Sequence, residues 1–327
     1  MRGYAGRMAP TEEKGENGAL SQPGTGWRVR AVVNANAGGS IDHGALVKTL
    51  ESACRSRGWD VKAEVVEASA LGEALDRAMA ERPGALVVGG GDGSIRGALS
   101  RVLGTETALG VLPMGTMNFV AKDLGIPLNA SEAASALATF VVRNVDVGVV
   151  NGSYFLHSSA IGIVPTLAEK REKIREASTR RERAARMWDA MRTAVRARPM
   201  SLVIEHKKKR KRERTMSLIV SNNPLSSDPL TPYRRHVIDG GELSAYLALH
   251  TGRLGIVRML FTFGSGWWFW DRMIAEFRGK SFRVDARRKW MPVSNDGEVE
   301  VLALPLRYKV MPRAARVLAP APKDGGH

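Results

Sequence analysis

The stretch Ala85-Leu86-Val87-Val88-Gly89-Gly90-Gly91-Asp92-Gly93-Ser94 decides the fold of this chain. Four apolar residues make a short buried strand, and the glycines end it. Four glycines around one carboxylate let backbone press against a bulky, charged ligand without Cβ interference. Ile95, Leu99, Val102 and Leu103 then recur at helical spacing, so the turn opens a helix. The first N–H groups and the dipole of such a helix favour an anion. A carboxylate inside a phosphate cradle repels phosphate, so Asp92 makes sense where a cation stands between them. The stretch reads as a nucleotide-phosphate and Mg²⁺ site. It fails the dinucleotide fingerprint, because Ser94 stands where the third glycine belongs.

On either side the pattern is strand, loop, helix, repeated. Val29–Val33 is an apolar strand ending in Asn34-Ala35-Asn36-Ala37-Gly38-Gly39, and helical spacing runs from Ile41 to Arg57. Val61–Val66 and Leu109–Leu112 read as strands, and Leu71, Leu75 and Met79 mark the helix between Val66 and Ala85. Such alternation predicts a parallel sheet covered by helices, with ligands at the carboxyl ends of its strands. After Asp146 the pattern changes to short apolar runs at Val147–Val150, Tyr154–Ser158, Leu202–Glu205, Leu218–Ser221, Ala245–Leu249, Phe282–Val284 and Val299–Leu302. These predict a mostly antiparallel β domain, interrupted by helices over Val164–Arg198 and Leu254–Phe277. Lys207–Arg212 reads as a basic hairpin tip. The expected division is a disordered tail over 1–27, an α/β nucleotide domain over 28–145, a β domain over 146–305 and a second tail over 319–327.

The chain has 327 residues, 44% of them hydrophobic, which suits two domains with real cores. A single cysteine, Cys54, excludes an internal disulfide and argues for a reducing compartment. No apolar run is long enough to span a membrane. The net charge is +16, and between Glu169 and Arg214 18 Lys and Arg stand against 7 Asp and Glu. Nucleic acid and anionic lipid headgroups are both candidates for so basic a block. A Walker A loop is absent, since Gly279-Lys280-Ser281 lacks the first glycine, and the histidines have no metal-ligand spacing.

Two further motifs accompany the glycine turn. Pro113-Met114-Gly115-Thr116-Met117-Asn118 follows a strand and precedes a helical stretch, so Thr116 and Asn118 either cap that helix or touch a nucleotide. Asn295-Asp296-Gly297-Glu298 is either an ordinary hairpin turn or a pair of acids placed for base chemistry.

Gly-Gly-Asp-Gly-Ser, Pro-Met-Gly-Thr-Met-Asn and Asp-Gly-Glu, in this order and at these separations, resemble the diacylglycerol kinase catalytic-domain family of lipid kinases. The resemblance covers about Val29 to Val317. It implies an N-terminal α/β nucleotide domain, related to that of NAD kinases, and a C-terminal antiparallel β-sandwich with the active site between them. The segment 306–318 would pack back onto the first domain. It further implies ATP and Mg²⁺ as cofactors. Asn34, Gly89, Gly90, Gly91, Asp92, Gly93, Ser94, Gly115, Thr116 and Asn118 would line the ATP site, with Asp92 acting through Mg²⁺. Asp296 and Glu298 would form the catalytic acidic pair, with Glu298 as proton acceptor. The implied activity is ATP-dependent phosphorylation of a hydroxyl of diacylglycerol or a related lipid. Alternatives are an NAD kinase-type enzyme and a catalytically silent protein that binds acidic lipid.

Several positions depart from the family pattern. Ala35 replaces proline, Ser94 replaces threonine, Phe119-Val120 replaces Asp-Phe and Lys122 replaces arginine. In Asp239-Gly240-Gly241-Glu242-Leu243, Gly240 stands where some bacterial members use an aspartate for a structural Mg²⁺, which puts that second metal in question. The expected partner is a lipid substrate at an anionic membrane surface, reached from the cytoplasmic side, with no nucleic acid and with a homodimer left open. The basic segment Lys170–Arg198 and the aromatics Trp267, Trp268 and Trp270 are the candidate lipid contacts.

Overall fold

The computed structural model describes residues 23–322 apart from 176, 208, 227, 229–233, 236, 250–254, 256, 257 and 259–272. Its first half runs β1 (Arg28–Asn34), α1 (His43–Ser56), β2 (Asp60–Val66), α2 (Leu71–Ala80), β3 (Ala85–Gly90), α3 (Asp92–Val102), β4 (Ala108–Pro113), α4 (Phe119–Leu124) and α5 (Ala130–Ala136). Pairing is parallel in the order β2-β1-β3-β4. β3 and β4 are buried along their whole length, as strands covered on both faces must be. The sequence periods explain the covering helices. Asp42 caps α1 by accepting from the Ala45 N–H, and Leu46, Leu50 and Cys54, one turn apart, face the sheet. Burial pushes the Cys54 thiol up to about 12, so it is a packing residue and not a nucleophile. Because β1, β3 and β4 are neighbours, the three loops leaving their carboxyl ends lie side by side.

The second half runs β5 (Val141–Val150), β6 (Ser153–Phe155), β7 (Ser158–Gly162), α6 (Ile163–Arg175), α7 (Arg180–Arg196), β8 (Met200–His206), β9 (Lys209–Thr215), β10 (Ser217–Asn222), β11 (Leu243–Ala248), β12 (Ile274–Gly279), β13 (Ser281–Ala286), β14 (Trp290–Asn295), β15 (Glu298–Ala303) and β16 (Leu306–Ala319). An antiparallel six-stranded sheet has the order β12-β11-β10-β7-β14-β15. β16 joins the other sheet: it pairs with β4 through Val317 and Leu109, with β5 along most of its length and with β13. The parallel sheet is thereby continued through β16, β13 and β8 to the edge strand β9. Phe155, Ile161, Leu202, Val220, Val293 and Tyr308 fill the space between the two sheets. This is the α/β sheet domain plus antiparallel β-sandwich that the family resemblance implies.

Four local expectations are corrected. Val164–Arg198 is not one helix but two, α6 and α7, with Thr179 capping the second through the Glu182 N–H. The run Tyr154–Ser158 divides between β6 and β7. Lys209–Arg212 is not a hairpin tip but part of β9, paired residue for residue with β8. A Lys- and Arg-rich sequence suits an edge strand, where charge discourages pairing with another chain. Ile274–Phe277, expected as helix, is the strand β12 paired with β11. Trp267, Trp268, Trp270 and most of the expected helix over Leu254–Phe277 lie outside the described residues, as do residues 1–22 and 323–327 of the expected tails.

Candidate active site

The glycine turn closes β3 and opens α3 at Asp92, with the Gly91 carbonyl accepting from the Ile95 N–H. The neighbouring loop is held against it by the Met114 N–H donating to the Gly90 carbonyl at 3.0 Å. Backbones touch here: a methyl group on Gly115 would fall 2.8 Å from Gly91 Cα and 2.9 Å from Asn118 Oδ1. Asn118, in the left-handed region at φ +47°, accepts from the Gly115 N–H at 2.9 Å and donates to the Gly115 carbonyl at 2.8 Å. Its amide thus shapes the loop from within, while Thr116 stands exposed at the apex. From β1, Asn34 accepts from the Asn36 N–H at 2.9 Å and reaches the buried Ser94 hydroxyl at 3.5 Å. All the residues expected to line the ATP site are therefore gathered at the ends of three adjacent strands.

The second sheet brings the remaining carboxylate to them. Glu298, exposed at the start of β15, packs directly on the first turn of α3: a methyl group on Gly93 would fall 2.6 Å from Glu298 Oε1. Two residues along the strand, on the same face, Glu300 pairs with Arg96 of α3 at 2.7 Å and accepts from Ser153 and from Asn295, each at 2.7 Å. Partial burial pushes the Glu300 carboxyl up, but the bonds from Ser153, Asn295 and Arg96 outweigh it and hold the group below the usual carboxylate range. Glu300 and Arg96 thus form a clamp that fixes Glu298 over the glycine turn. Neither was singled out from sequence, although the two-residue period of a strand starting at Glu298 points to Glu300.

Asp296 differs from its expected role. It is buried, in the left-handed region at φ +48°, and its carboxylate accepts from the backbone N–H groups of Leu156 (2.7 Å), His157 (2.9 Å) and Ser158 (2.9 Å). With three backbone donors already engaged, it braces the corner between β6 and β7. The expected pair of catalytic acids separates into a support, Asp296, and a group facing the cleft, Glu298.

Behind the corner lies a buried ionic cluster. Asp123 of α4 accepts from Arg235 Nε (2.8 Å) and backbone N–H (2.9 Å), and contacts His157 Nδ1 at 2.8 Å. Burial pushes the Asp123 carboxyl up, but the Arg235 guanidinium and His157 overcome this and leave it at about 2. Asp123 is therefore ionised, so Nδ1 carries the proton that His157 donates. Phe119 stacks on the His157 ring at 4.4 Å, and Lys122 Nζ lies 5.6 Å from the Phe119 ring. The departures at Phe119 and Lys122 are thus a stack that joins the nucleotide-side helix α4 to the second domain.

The region around Gly240 does not fit a second, structural Mg²⁺. The adjacent buried carboxylate, Asp146, is filled by Asn223 Nδ2 (2.9 Å) and by the N–H groups of Gly241 (2.6 Å) and Arg313 (2.8 Å). Asp239 faces the Arg313 guanidinium at 3.8 Å. Peptide donors and an arginine supply the positive partners there. The Asp92–Glu298 side suits a cation better. Asp92 opens α3 and Glu298 packs on its first turn, so an ion arriving with phosphate oxygens would have acidic residues nearby. Among the described residues no group of three or more His, Cys, Asp or Glu is arranged to hold a metal on its own.

Comparison with known proteins agrees with this architecture. Residues 28–150 match the family described as the diacylglycerol kinase catalytic domain, and residues 162–319 match the YegS C-terminal NAD kinase beta sandwich-like domain. The chain thus carries a diacylglycerol kinase catalytic domain followed by a YegS C-terminal domain. A "Probable lipid kinase YegS-like" protein of Pseudomonas aeruginosa is 43% identical over 91 residues, 27% of this chain and 30% of that one. A "Diacylglycerol kinase" of Bacillus subtilis is 31% identical over 140 residues, 41% of this chain and 46% of that one. The chain thus spans less than half the length of these relatives. The crystal structure of a diacylglycerol kinase from Bacillus anthracis str. Sterne superposes with a TM-score of 0.66 at 21% identity, covering 89% of this chain and 96% of that one. At that identity the likeness speaks to the fold alone. Among the described residues no helix is long and apolar enough to cross a membrane.

Proposed function

We propose that this chain transfers the γ-phosphoryl group of MgATP to a hydroxyl of diacylglycerol or a related lipid. The observation that carries the proposal is the contact of Glu298 with Gly93: a carboxylate from the second sheet sits on the glycine turn of the first. The triphosphate lies along the three loops and the N-terminus of α3, where backbone N–H groups and the dipole offset its charge. Asp92 would hold the magnesium that accompanies the nucleotide, and that ion would neutralise charge on the transferring group. Glu298 accepts the proton of the lipid hydroxyl as its oxygen bonds to the γ-phosphorus. The bond from the γ-phosphorus to the bridging oxygen breaks, and ADP departs with that oxygen. Asp296, Glu300 and Arg96 touch neither reactant and hold Glu298 in place.

The test is purified protein with labelled ATP, Mg²⁺ and, as acceptors, a panel of lipids in micelles or NAD. Label in a phosphorylated lipid is the expected result. Label in NAD would move the assignment to the NAD kinase type, and label in no acceptor would leave a lipid-binding protein without catalysis.

The glycine contact gives an independent check. In Gly115→Ala the new methyl meets the backbone of Gly91 at 2.8 Å, so the two loops must part. Overpacking of this kind costs about 1–3 kcal/mol. Placed in the nucleotide cradle, it should weaken ATP binding by roughly ten- to a hundredfold, measured by calorimetric titration against the wild type.

A further inference from the structure

We propose that α7 is an interfacial docking helix that lays an outward apolar stripe on an anionic phospholipid surface. The inference rests on the lipid-kinase reading for its purpose and on separate residues for its argument. Among the described residues α7 is held to the protein by one face. Ala194 is buried with Ile163, Met216 and Ala248, Asp189 pairs with Lys170 of α6, and Arg186 donates to the Lys173 carbonyl. The opposite face carries Ala184, Trp188, Met191 and Val195, spaced four, three and four residues apart, which is one stripe of a helix. Trp188 is 64% exposed, Met187 beside it 57% and Met191 48%. Large apolar side chains normally turn inward. Here they turn away from the protein while a lone alanine makes the buried contact.

Charge identifies the occupant. Arg181, Arg192 and Arg196 flank the stripe on one side and Arg180 and Arg183 on the other, and all five are exposed. An apolar stripe between rows of arginine matches the boundary between acyl chains and anionic headgroups, with the helix lying in the plane. It does not match a second copy of this chain, which would set arginine against arginine across the interface. Placement adds a second argument. α6, which carries α7, packs on β7, β14 and β15, and the turn between β14 and β15 holds Asp296 and Glu298. A helix seated on the bilayer here brings the cleft to the surface where a lipid hydroxyl is found.

The experiment is co-sedimentation of the full chain with phosphatidylcholine vesicles prepared with and without phosphatidylglycerol. Wild type is expected to pellet with the anionic vesicles, and Trp188→Ser with Met191→Ser is expected to lower the bound fraction by about tenfold or more. Trp188→Phe with Met191→Leu should restore it, and Arg181→Gln with Arg192→Gln should weaken it while flattening its salt dependence. Activity on a short-chain diacylglycerol, dispersed below its aggregation point, should be unchanged in the serine variant. Equal pelleting of serine variant and wild type overturns the proposal. So does a wild-type dimer in sedimentation equilibrium that the serine variant dissociates, since the stripe would then belong to a second copy. The two readings fail separately. Phosphorylated lipid with pelleting indifferent to Trp188 removes the docking helix alone, whereas Trp188-dependent pelleting with no phosphorylated lipid removes the kinase alone.

Discussion

Glu298→Gln should lower kcat for lipid phosphorylation by about 10²–10⁴-fold, the range that a positioned general base contributes, while nucleotide affinity changes little. The amide keeps the shape that packs on Gly93 but cannot take a proton from the attacking hydroxyl. A lipid alcohol is far less acidic than a carboxylic acid, so the loss falls on the transition state, where the proton is leaving. Single-turnover kinetics beside ATP titration separate the two effects. A variant that turns over at the wild-type rate removes Glu298 from the chemistry. Among the described residues Glu298 has no ion pair, whereas Glu300 beside it is engaged by Arg96, Ser153 and Asn295. That contrast is why the chemical role falls to the first of the two.

The largest expected effect on stability lies at Asp123. Replacing it with Ala leaves the Arg235 guanidinium buried without its carboxylate, and breaking such a pair costs about 3–5 kcal/mol. Denaturant titration should report this as a lower midpoint, with Glu64→Ala, at the exposed ion pair with Arg77, as the mild control. The pH dependence has a definite sign. In the folded protein the Asp123 carboxyl is held at about 2, below the ordinary aspartate value of 3.8. Its contribution is therefore complete above pH 4 or so and is lost as pH falls through about 2. Between neutrality and pH 5 the stability of wild type should show no pH-dependent component from Asp123, and the gap between wild type and Asp123→Ala should narrow only in strong acid.

Local signals were legible in the sequence. The glycine turn, the helix periods around Leu46, Leu50 and Cys54, and the alternation that makes a parallel sheet are set by neighbours a few residues apart. Pairings between remote segments were not. Asp296 can be picked out beside Gly297, but its three donors are at residues 156–158, and no spacing within the turn shows that they fill it. The basic run at Lys207–Arg212 resembles a solvated tip because charge usually marks one. Lys207 does lie in the turn after β8, but only the ladder with Met200–His206 shows that Lys209–Arg212 belong to an edge strand. The buried cluster of Asp123, His157 and Arg235 draws on three segments, and each residue taken alone is an ordinary polar residue.

The place of β16 bears on how the molecule is made. β4 gains a neighbour on its open side only when Val317 arrives beside Leu109, and everything between Pro113 and Leu306 must leave the ribosome first. Until then the first four strands expose an apolar margin to the cell, a surface that can recruit the wrong strand. Synthesis from the amino end therefore cannot complete the nucleotide side ahead of the sandwich. The two halves should reach their native state together, with chaperone occupancy on nascent chains persisting until β16 emerges.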